Sequence, residues 1–393
     1  MISISRLYCN TINPSDVLRY GRKASQLPSH LLHYSEDKRP VVVYNCTQRC
    51  NLHCVHCYSK STGQPGDQEL STREAKTFIQ DIAAFGSPVI LFSGGEPLTR
   101  PDILELIDFA VAQGLRAVLS TNGTLIDTSL AQQLKDVKLS YVGVSLDGMT
   151  EVNDAFRGVK GAFQRALQGL RNCREAGIKV GLRFTINKRN ASEIAKIFQL
   201  LEQEHIPRIC FYHLVYSGRG NDLVEEDLSS EQTRQVLDQI IDLTDDLHKR
   251  GNPIEVLTVD NHCDGPYIYL RMLEEHHPRA DDALQLLQYN GGNSSGIGIG
   301  CVSWDGAVYP DQFWRHYSLG NVRERPFSDI WTDTSEPLMG KLKQRKPYLK
   351  GRCAACRWMN ICNGNFRVRA EATTGDLWSC DPACYLTDRE IGL

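Results

Sequence analysis

Cys50-Asn51-Leu52-His53-Cys54-Val55-His56-Cys57-Tyr58 sets three thiols at C-x3-C-x2-C spacing, just after the β-like run Pro40-Val41-Val42-Val43-Tyr44. One short loop can aim three thiolates at a single 4Fe–4S cube. No fourth cysteine follows nearby, so one iron is left open for a ligand that is not protein. An open iron suits catalysis better than electron storage. Cys46, on the preceding strand, reads as a buried thiol and not as a ligand.

The totals set the frame. A chain of 393 residues has room for one large domain and a smaller one. Its net charge of −3 offers no basic footprint, so no nucleic acid partner is expected. No run reaches the roughly 18 apolar residues of a membrane helix, so no membrane association is expected. Met1 to Tyr8 has no apolar signal core. The fourteen cysteines group as C-x2-C and C-x3-C-x2-C, which favours metal ligation over disulfides. The expectation is a cytoplasmic protein in a reducing, anaerobic cell.

Residues 1–39 read as a polar leader, a solvated or capping extension that carries Arg19, Arg22, Lys23, His30 and His33. Over residues 40–221 apolar runs alternate with amphipathic stretches. The runs are Val41–Cys46, Pro88–Ser93, Ala117–Ser120, Tyr141–Leu146, Val180–Ile186 and Ile209–Val215, and the stretches include Arg73–Phe85 and Gly161–Ala176. This is the pattern of βα units on a parallel sheet. Six units predict an α/β fold, a partial (βα)6 barrel, with chemistry on loops at the carboxyl ends of its strands. Polar residues do gather there: the cysteine loop, Ser93-Gly94-Gly95-Glu96-Pro97, Ser120 and Asn122, Ser145, Arg183, and His213. Residues 222–295 read as a charged helical connector in which His262 and Cys263 are packing residues.

Residues 296–393 form a second unit. Trp304-Asp305-Gly306 joins two β-prone runs as a hairpin. Downstream, Cys353-x2-Cys356-x5-Cys362, with Cys380 and Cys384 beyond, suggests a second iron–sulfur site, a four-cysteine zinc site being the alternative.

C-x3-C-x2-C after a first strand, with Gly94-Gly95-Glu96-Pro97 one βα unit later, resembles the radical S-adenosylmethionine (SAM) superfamily. The resemblance implies that Cys50, Cys54 and Cys57 hold a catalytic 4Fe–4S cluster whose open iron is chelated by SAM. It implies that Gly94, Gly95, Glu96 and Pro97 hold the SAM amino group. Ser120, Asn122 and Ser145 would contact ribose or carboxylate, and Arg183, or else Arg157, would pair with the SAM carboxylate. His56 would lie against adenine, with Tyr58 beside it. The tail resembles the auxiliary-cluster domains called SPASM (two clusters) or twitch (one). A SPASM domain would expect a cysteine where Asp311 follows Val308-Tyr309-Pro310. That departure implies one auxiliary 4Fe–4S cluster on Cys353, Cys356, Cys362 and Cys384, with Cys380 able to replace Cys384 and Cys301 left as a spare thiol.

Phe313-Trp314-Arg315-His316-Tyr317, together with Asp381-Pro382-Ala383-Cys384-Tyr385 and the leader Ile2 to Cys9, is similar to the tetrapyrrole-modifying radical SAM enzymes of the AhbC and NirJ types, and most to the AhbC type. The implied substrate is an iron tetrapyrrole, 12,18-didecarboxysiroheme, and the implied reaction removes its acetates to give iron-coproporphyrin III. The NirJ type instead removes propionates, in haem d1 synthesis. A donor such as flavodoxin or ferredoxin would supply electrons. Arg219, Arg315, Arg323 and Arg325 are candidate carboxylate partners, and His213 and His316 are candidate ligands to the substrate iron. Two other readings are a peptide-modifying enzyme of the same superfamily and a non-catalytic iron–sulfur carrier, which would not need Gly94 to Pro97.

Overall fold

The computed structural model describes residues 1–14, 16–20 and 39–393. Its strands are β1 (Ile2–Ser3), β2 (Val41–Asn45), β3 (Val89–Ser93), β4 (Arg116–Thr121), β5 (Tyr141–Ser145) and β6 (Val180–Ile186). They continue with β7 (Arg208–His213), β8 (Glu255–Val259), β9 (Ile299–Val302), β10 (Ala307–Tyr309) and β11 (Gly320–Asn321). All lie in one open sheet, in the order β1-β8-β7-β6-β5-β4-β3-β2-β9-β10-β11. From β8 through β2 to β9 every neighbouring pair is parallel. The strands from β2 to β7 are the six read from the sequence.

Their order follows from burial on both faces. Val42, Val43, Tyr44 and Asn45 are all buried, which is how a parallel strand between helices and an interior reads. The helix Thr72–Ala84 opens with a reciprocal Ser71/Glu74 capping box and buries Phe78, Ile79 and Ile82. Phe78 meets the Tyr44 ring edge-on at 5.3 Å, so the helix is fixed over β2 by the residue pair that buries both. The Asp-Gly hairpin forms as β9 and β10, with Gly306 at φ +83°.

Two segments differ from the sequence reading. The opening of the chain is not a solvated extension: β1 pairs antiparallel with β8, and Ile2, Ile4 and Leu7 are core residues. Arg19 is buried between Asp16 and Glu255, 2.6 Å from each carboxylate. Arg22, Lys23, His30 and His33 lie outside the described residues. The connector is not purely helical either. Its run Glu255–Val259 is a fully buried parallel strand, and it was missed because four apolar and β-branched residues after a glutamate, between long helices, carry little periodic signal. At the other edge β9 docks parallel onto β2, so the second unit extends the barrel's own sheet.

If the opening segment is core, Ile4→Ala should lower stability by about 2–4 kcal/mol. The check is the shift of the urea midpoint; an unchanged midpoint would return the segment to the surface.

Candidate functional site

The carboxyl ends of β2 to β8 open onto one solvent-open cavity, about 1070 Å³ with its mouth included. Cys50, Cys54 and Cys57 all line it. Backbone contacts shape their loop: Cys50 N–H donates to the Thr62 carbonyl at 2.7 Å, and His53 and Val55 N–H to the carbonyls of Arg157 and Phe156 at 3.0 Å each. Arg219 grips the loop from the far side, donating to the carbonyls of Cys54 at 2.8 Å and Ser61 at 3.0 Å. A Cβ on Gly218 would fall 2.3 Å from the Tyr58 carbonyl oxygen, so only glycine lets this segment lie so close.

The thiols differ electrostatically. Burial pushes Cys50 up to about 12 and raises Cys54 against the nearby Arg157 guanidinium. Burial acts on Cys57 too, but the hydroxyls of Ser59 and Ser61 and the charge of Arg219 overcome it and leave that thiol below its ordinary value. Thiolates bind iron, so cluster binding would supply the charge that burial withholds.

Around them lies a cradle. A Cβ on Gly95 would meet the Arg49 carbonyl oxygen at 2.2 Å, and one on Gly94 the Thr47 oxygen at 2.5 Å. Ser120, Asn122, Ser145 and Tyr58 face the same cavity. Glu96 and Pro97 do not line it: Glu96 is fully buried and accepts from Thr121 Oγ1 at 2.7 Å, Asn122 N–H at 2.8 Å and Leu98 N–H at 3.2 Å. Burial raises its carboxyl to about 6 against those donors. His56 keeps a buried Nδ1 without a partner, and burial holds the ring neutral, down to about 4, despite Asp147 at 3.5 Å. Arg157 is ion-paired to Asp147 and donates to Cys54 Sγ at 3.5 Å. Arg183 stands over the Tyr212 ring at 4.6 Å, and among the described residues no carboxylate lies within ion-pair distance of it. An unpaired guanidinium, an orphan ring nitrogen and a glycine-lined wall fit a zwitterionic nucleoside such as SAM.

His213 lines the cavity with its Nε2 2.9 Å from Asp264 Oδ2, and Tyr385 OH donates to Asp264 Oδ1 at 2.7 Å. Burial disfavours the imidazolium, but Asp264 outweighs it and the pKa of His213 ends above the ordinary histidine value. A shallower recess of about 860 Å³ shares Tyr58 and Phe313 with the cavity and is lined by Lys60, Arg315 and His316. Arg315 lies 4.0 Å over the Trp304 ring, with a buried Nη1 lacking a partner. His316 is bonded to Glu371 at 2.7 Å. Three sequence candidates are engaged elsewhere: Arg219 holds the cysteine loop, Arg323 pairs with Glu74 at 2.6 Å, and Arg325 with Asp333 at 3.1 Å.

Cys353, Cys356, Cys362, Cys380 and Cys384 line a separate recess of about 460 Å³, joined by Cys263 from the start of helix Asp264–Glu274. Among the described residues no three His, Cys, Asp or Glu side chains converge as a single ion requires, and thiols ringing a recess suit a cube better than one zinc. Hydrogen bonding from Cys263 and from the Leu386 backbone lowers Cys384 to about 7 although burial opposes it, whereas Cys380 Sγ points at the Lys350 carbonyl, 3.5 Å away. Cys263 packs in the core, as its sequence context suggests, and also walls this recess. Cys301 is remote from it, fully buried on β9 beside Asn45 Nδ2. Asp311 is buried and bonded to Ser295 Oγ and Phe313 N–H.

Residues 44–201 match the radical SAM superfamily, and residues 299–357 the SPASM iron–sulfur cluster-binding domain. The Fe-coproporphyrin III synthase of Methanosarcina barkeri is 65% identical over 395 residues, covering 100% of this chain and 99% of that protein. The pre-heme d1 synthase of Dinoroseobacter shibae is 42% identical over 90% of this chain and 88% of its own length. Among solved structures, Streptococcus suis SuiB bound to S-adenosylmethionine superposes with a TM-score of 0.70 at 19% identity, covering 89% of this chain and 78% of that one. Native anSMEcpe with bound AdoMet superposes at 0.67 and 18%, covering 88% and 93%. At such identities the likeness shows the fold. The chain belongs to the radical SAM superfamily and is an enzyme that uses SAM, a 4Fe–4S cluster and auxiliary iron–sulfur chemistry.

Cys54→Ala should abolish 5′-deoxyadenosine release from SAM under reduction; retained release would remove this loop from the chemistry. A Cys353→Ala/Cys356→Ala variant should fall from about eight irons per chain to about four by iron assay, as two 4Fe–4S clusters require.

Proposed function

We propose that this radical SAM enzyme removes the acetate side chains of 12,18-didecarboxysiroheme to give Fe-coproporphyrin III. One observation carries the reading: the 65% identity to an Fe-coproporphyrin III synthase extends over the whole of this chain and 99% of that protein, not only the superfamily core. Propionate removal of the haem d1 type is the second reading, favoured by the 42% identity to a pre-heme d1 synthase. The solved structures bound to peptide are 17–19% identical to this chain, far below the 65% of the Fe-coproporphyrin III synthase, and a non-catalytic carrier leaves the Gly94–Gly95 cradle without a purpose.

In this reading Cys50, Cys54 and Cys57 hold the catalytic cluster. Gly94 and Gly95 let SAM approach the backbone, while Glu96 and Pro97 shape that turn. Arg183 is the carboxylate partner, Ser120, Asn122 and Ser145 bind polar edges, and His56 and Tyr58 wall the adenine side. Cys353, Cys356, Cys362 and Cys384 hold the auxiliary cluster, with Cys380 in reserve. Bound there, SAM and its cluster supply a carbon-centred radical that removes one hydrogen atom from the substrate. The chain positions the ring and keeps water out. Lys60 and Arg315 face substrate carboxylates from the outer recess. His213 ligates the substrate iron, oriented by Asp264, since metal-bound imidazoles regularly give their other nitrogen to a carboxylate. The protein works in the cytoplasm with a one-electron donor such as flavodoxin or ferredoxin, and needs neither membrane nor nucleic acid.

Anaerobic incubation with 12,18-didecarboxysiroheme, SAM and a reductant, followed by mass spectrometry, should show loss of two acetates; loss of two propionates would move the protein to the haem d1 reading. His213→Ala should change the absorbance of the bound iron tetrapyrrole, and Asp264→Asn should weaken its binding by about 10–100-fold. An unaltered spectrum in His213→Ala would exclude His213 as the iron ligand.

A further inference from the structure

The end of β8 places in the cavity a side chain that no role above uses. Asp260 lines the same wall as Arg183, Tyr212 and His213 and is 7% exposed. Its backbone lies at φ +67°, a left-handed conformation uncommon outside glycine. That conformation is held in place: buried Arg369 donates to the Asp260 carbonyl at 2.8 Å while paired with Asp381. Strain kept by its surroundings concentrates at functional sites. Among the described residues no group hydrogen-bonds to the Asp260 carboxyl, which faces the cavity. The charged groups around it are Arg369, Asp311, the amino terminus at Met1, and Arg183; burial outweighs the cations and raises this carboxyl to about 7.

Removing an acetate by a radical route requires a proton. Once a hydrogen atom has left the ring carbon next to the one bearing the side chain, the bond from ring to CH2 breaks homolytically. One of its electrons completes the new ring double bond, and the other leaves on a carboxymethyl radical. That fragment becomes acetate only by gaining one electron, from a reduced iron–sulfur centre or an external one-electron donor, and one proton. We propose that Asp260 is the acid that delivers this proton, and that solvent then reprotonates it. The proposal rests on the reading of the reaction as acetate removal from an iron tetrapyrrole.

Three variants test it. Asp260→Asn removes the proton and keeps the shape, Asp260→Gly suits the left-handed backbone without strain, and Asp260→Glu restores an acid. In anaerobic turnover, Fe-coproporphyrin III formed per 5′-deoxyadenosine should drop on the order of 10²-fold in the Asn and Gly variants and recover in part with Glu, while absorbance titration still shows the tetrapyrrole binding. In the native protein the same ratio should fall as pH rises through about 7, because the carboxyl must be protonated to act. That limb should be absent in Asp260→Asn. Infrared difference spectra of the protein alone should show a protonated carboxyl at pH 6 that disappears with base and is missing in Asp260→Asn. An unchanged product ratio and pH profile, or no such band, overturns the assignment. If the native protein makes no Fe-coproporphyrin III yet shows the band, the substrate reading fails while the cavity acid stands.

Discussion

The ion pair between Arg369 and Asp381 is closed to solvent on both sides, and the two sites meet at it. The guanidinium donates to the Leu214 and Asp260 carbonyls at 2.7 and 2.8 Å, pinning the loops that leave β7 and β8. The carboxylate accepts from Phe366 and Ala383 N–H at 2.9 and 3.0 Å, which fixes the loop between Cys380 and Cys384. A buried pair whose carboxylate takes four hydrogen bonds and whose guanidinium gives four is tolerable, whereas losing one partner costs about 3–5 kcal/mol. The barrel ends and the loop that carries Cys384 are therefore tied together through this ion pair.

Low dielectric sets the chemistry of the cavity. It keeps His56 uncharged, raises Cys50 and Cys54, and holds Glu96 and Asp260 closer to neutrality than exposed carboxyls. Cations there stand beside groups that carry or acquire negative charge: Arg157 at Cys54, Arg219 behind Cys57, and Arg183 over an aromatic face near Asp260, with no carboxylate at ion-pair distance among the described residues. The pattern suits a site that must stay dry around a reactive radical and still bind a zwitterion.

Much of this was legible in the sequence, and the parts that were not have physical reasons. Strands from β2 to β7 announced themselves because both-face burial leaves unbroken apolar runs, and the strand-end rule then pointed to residues that line the cavity. The arginines misled: Arg219, Arg323 and Arg325 have the right chemistry for carboxylates, but Arg219 binds backbone carbonyls, Arg323 a glutamate far back in the chain and Arg325 the nearby Asp333. Glu96 likewise supports its own loop and does not line the cavity. Ile2 and Ile4 were invisible as core because a two-residue strand and the one-turn helix Ile4–Leu7 after it carry no period. Asp264 and Cys263 gave no motif, since their partners, His213 and Cys384, come from other parts of the chain.

The segment after β8 explains why the two recesses belong to one machine. Asp260 faces the large cavity and Cys263 faces the thiol recess, three residues apart, with Asp264 reaching back to His213. Even fully extended, three residues span only about 10–11 Å. Asn261 and Asn365 bond to each other at 2.7 Å across this wall, and Asn261 donates to the Ala383 carbonyl at 2.9 Å, next to Cys384. A single thickness of chain, crosslinked on both sides, separates the two. Any electron the substrate requires from the second site has that wall to cross, and the wall leaves β8, one of the strands added beyond the six of the barrel.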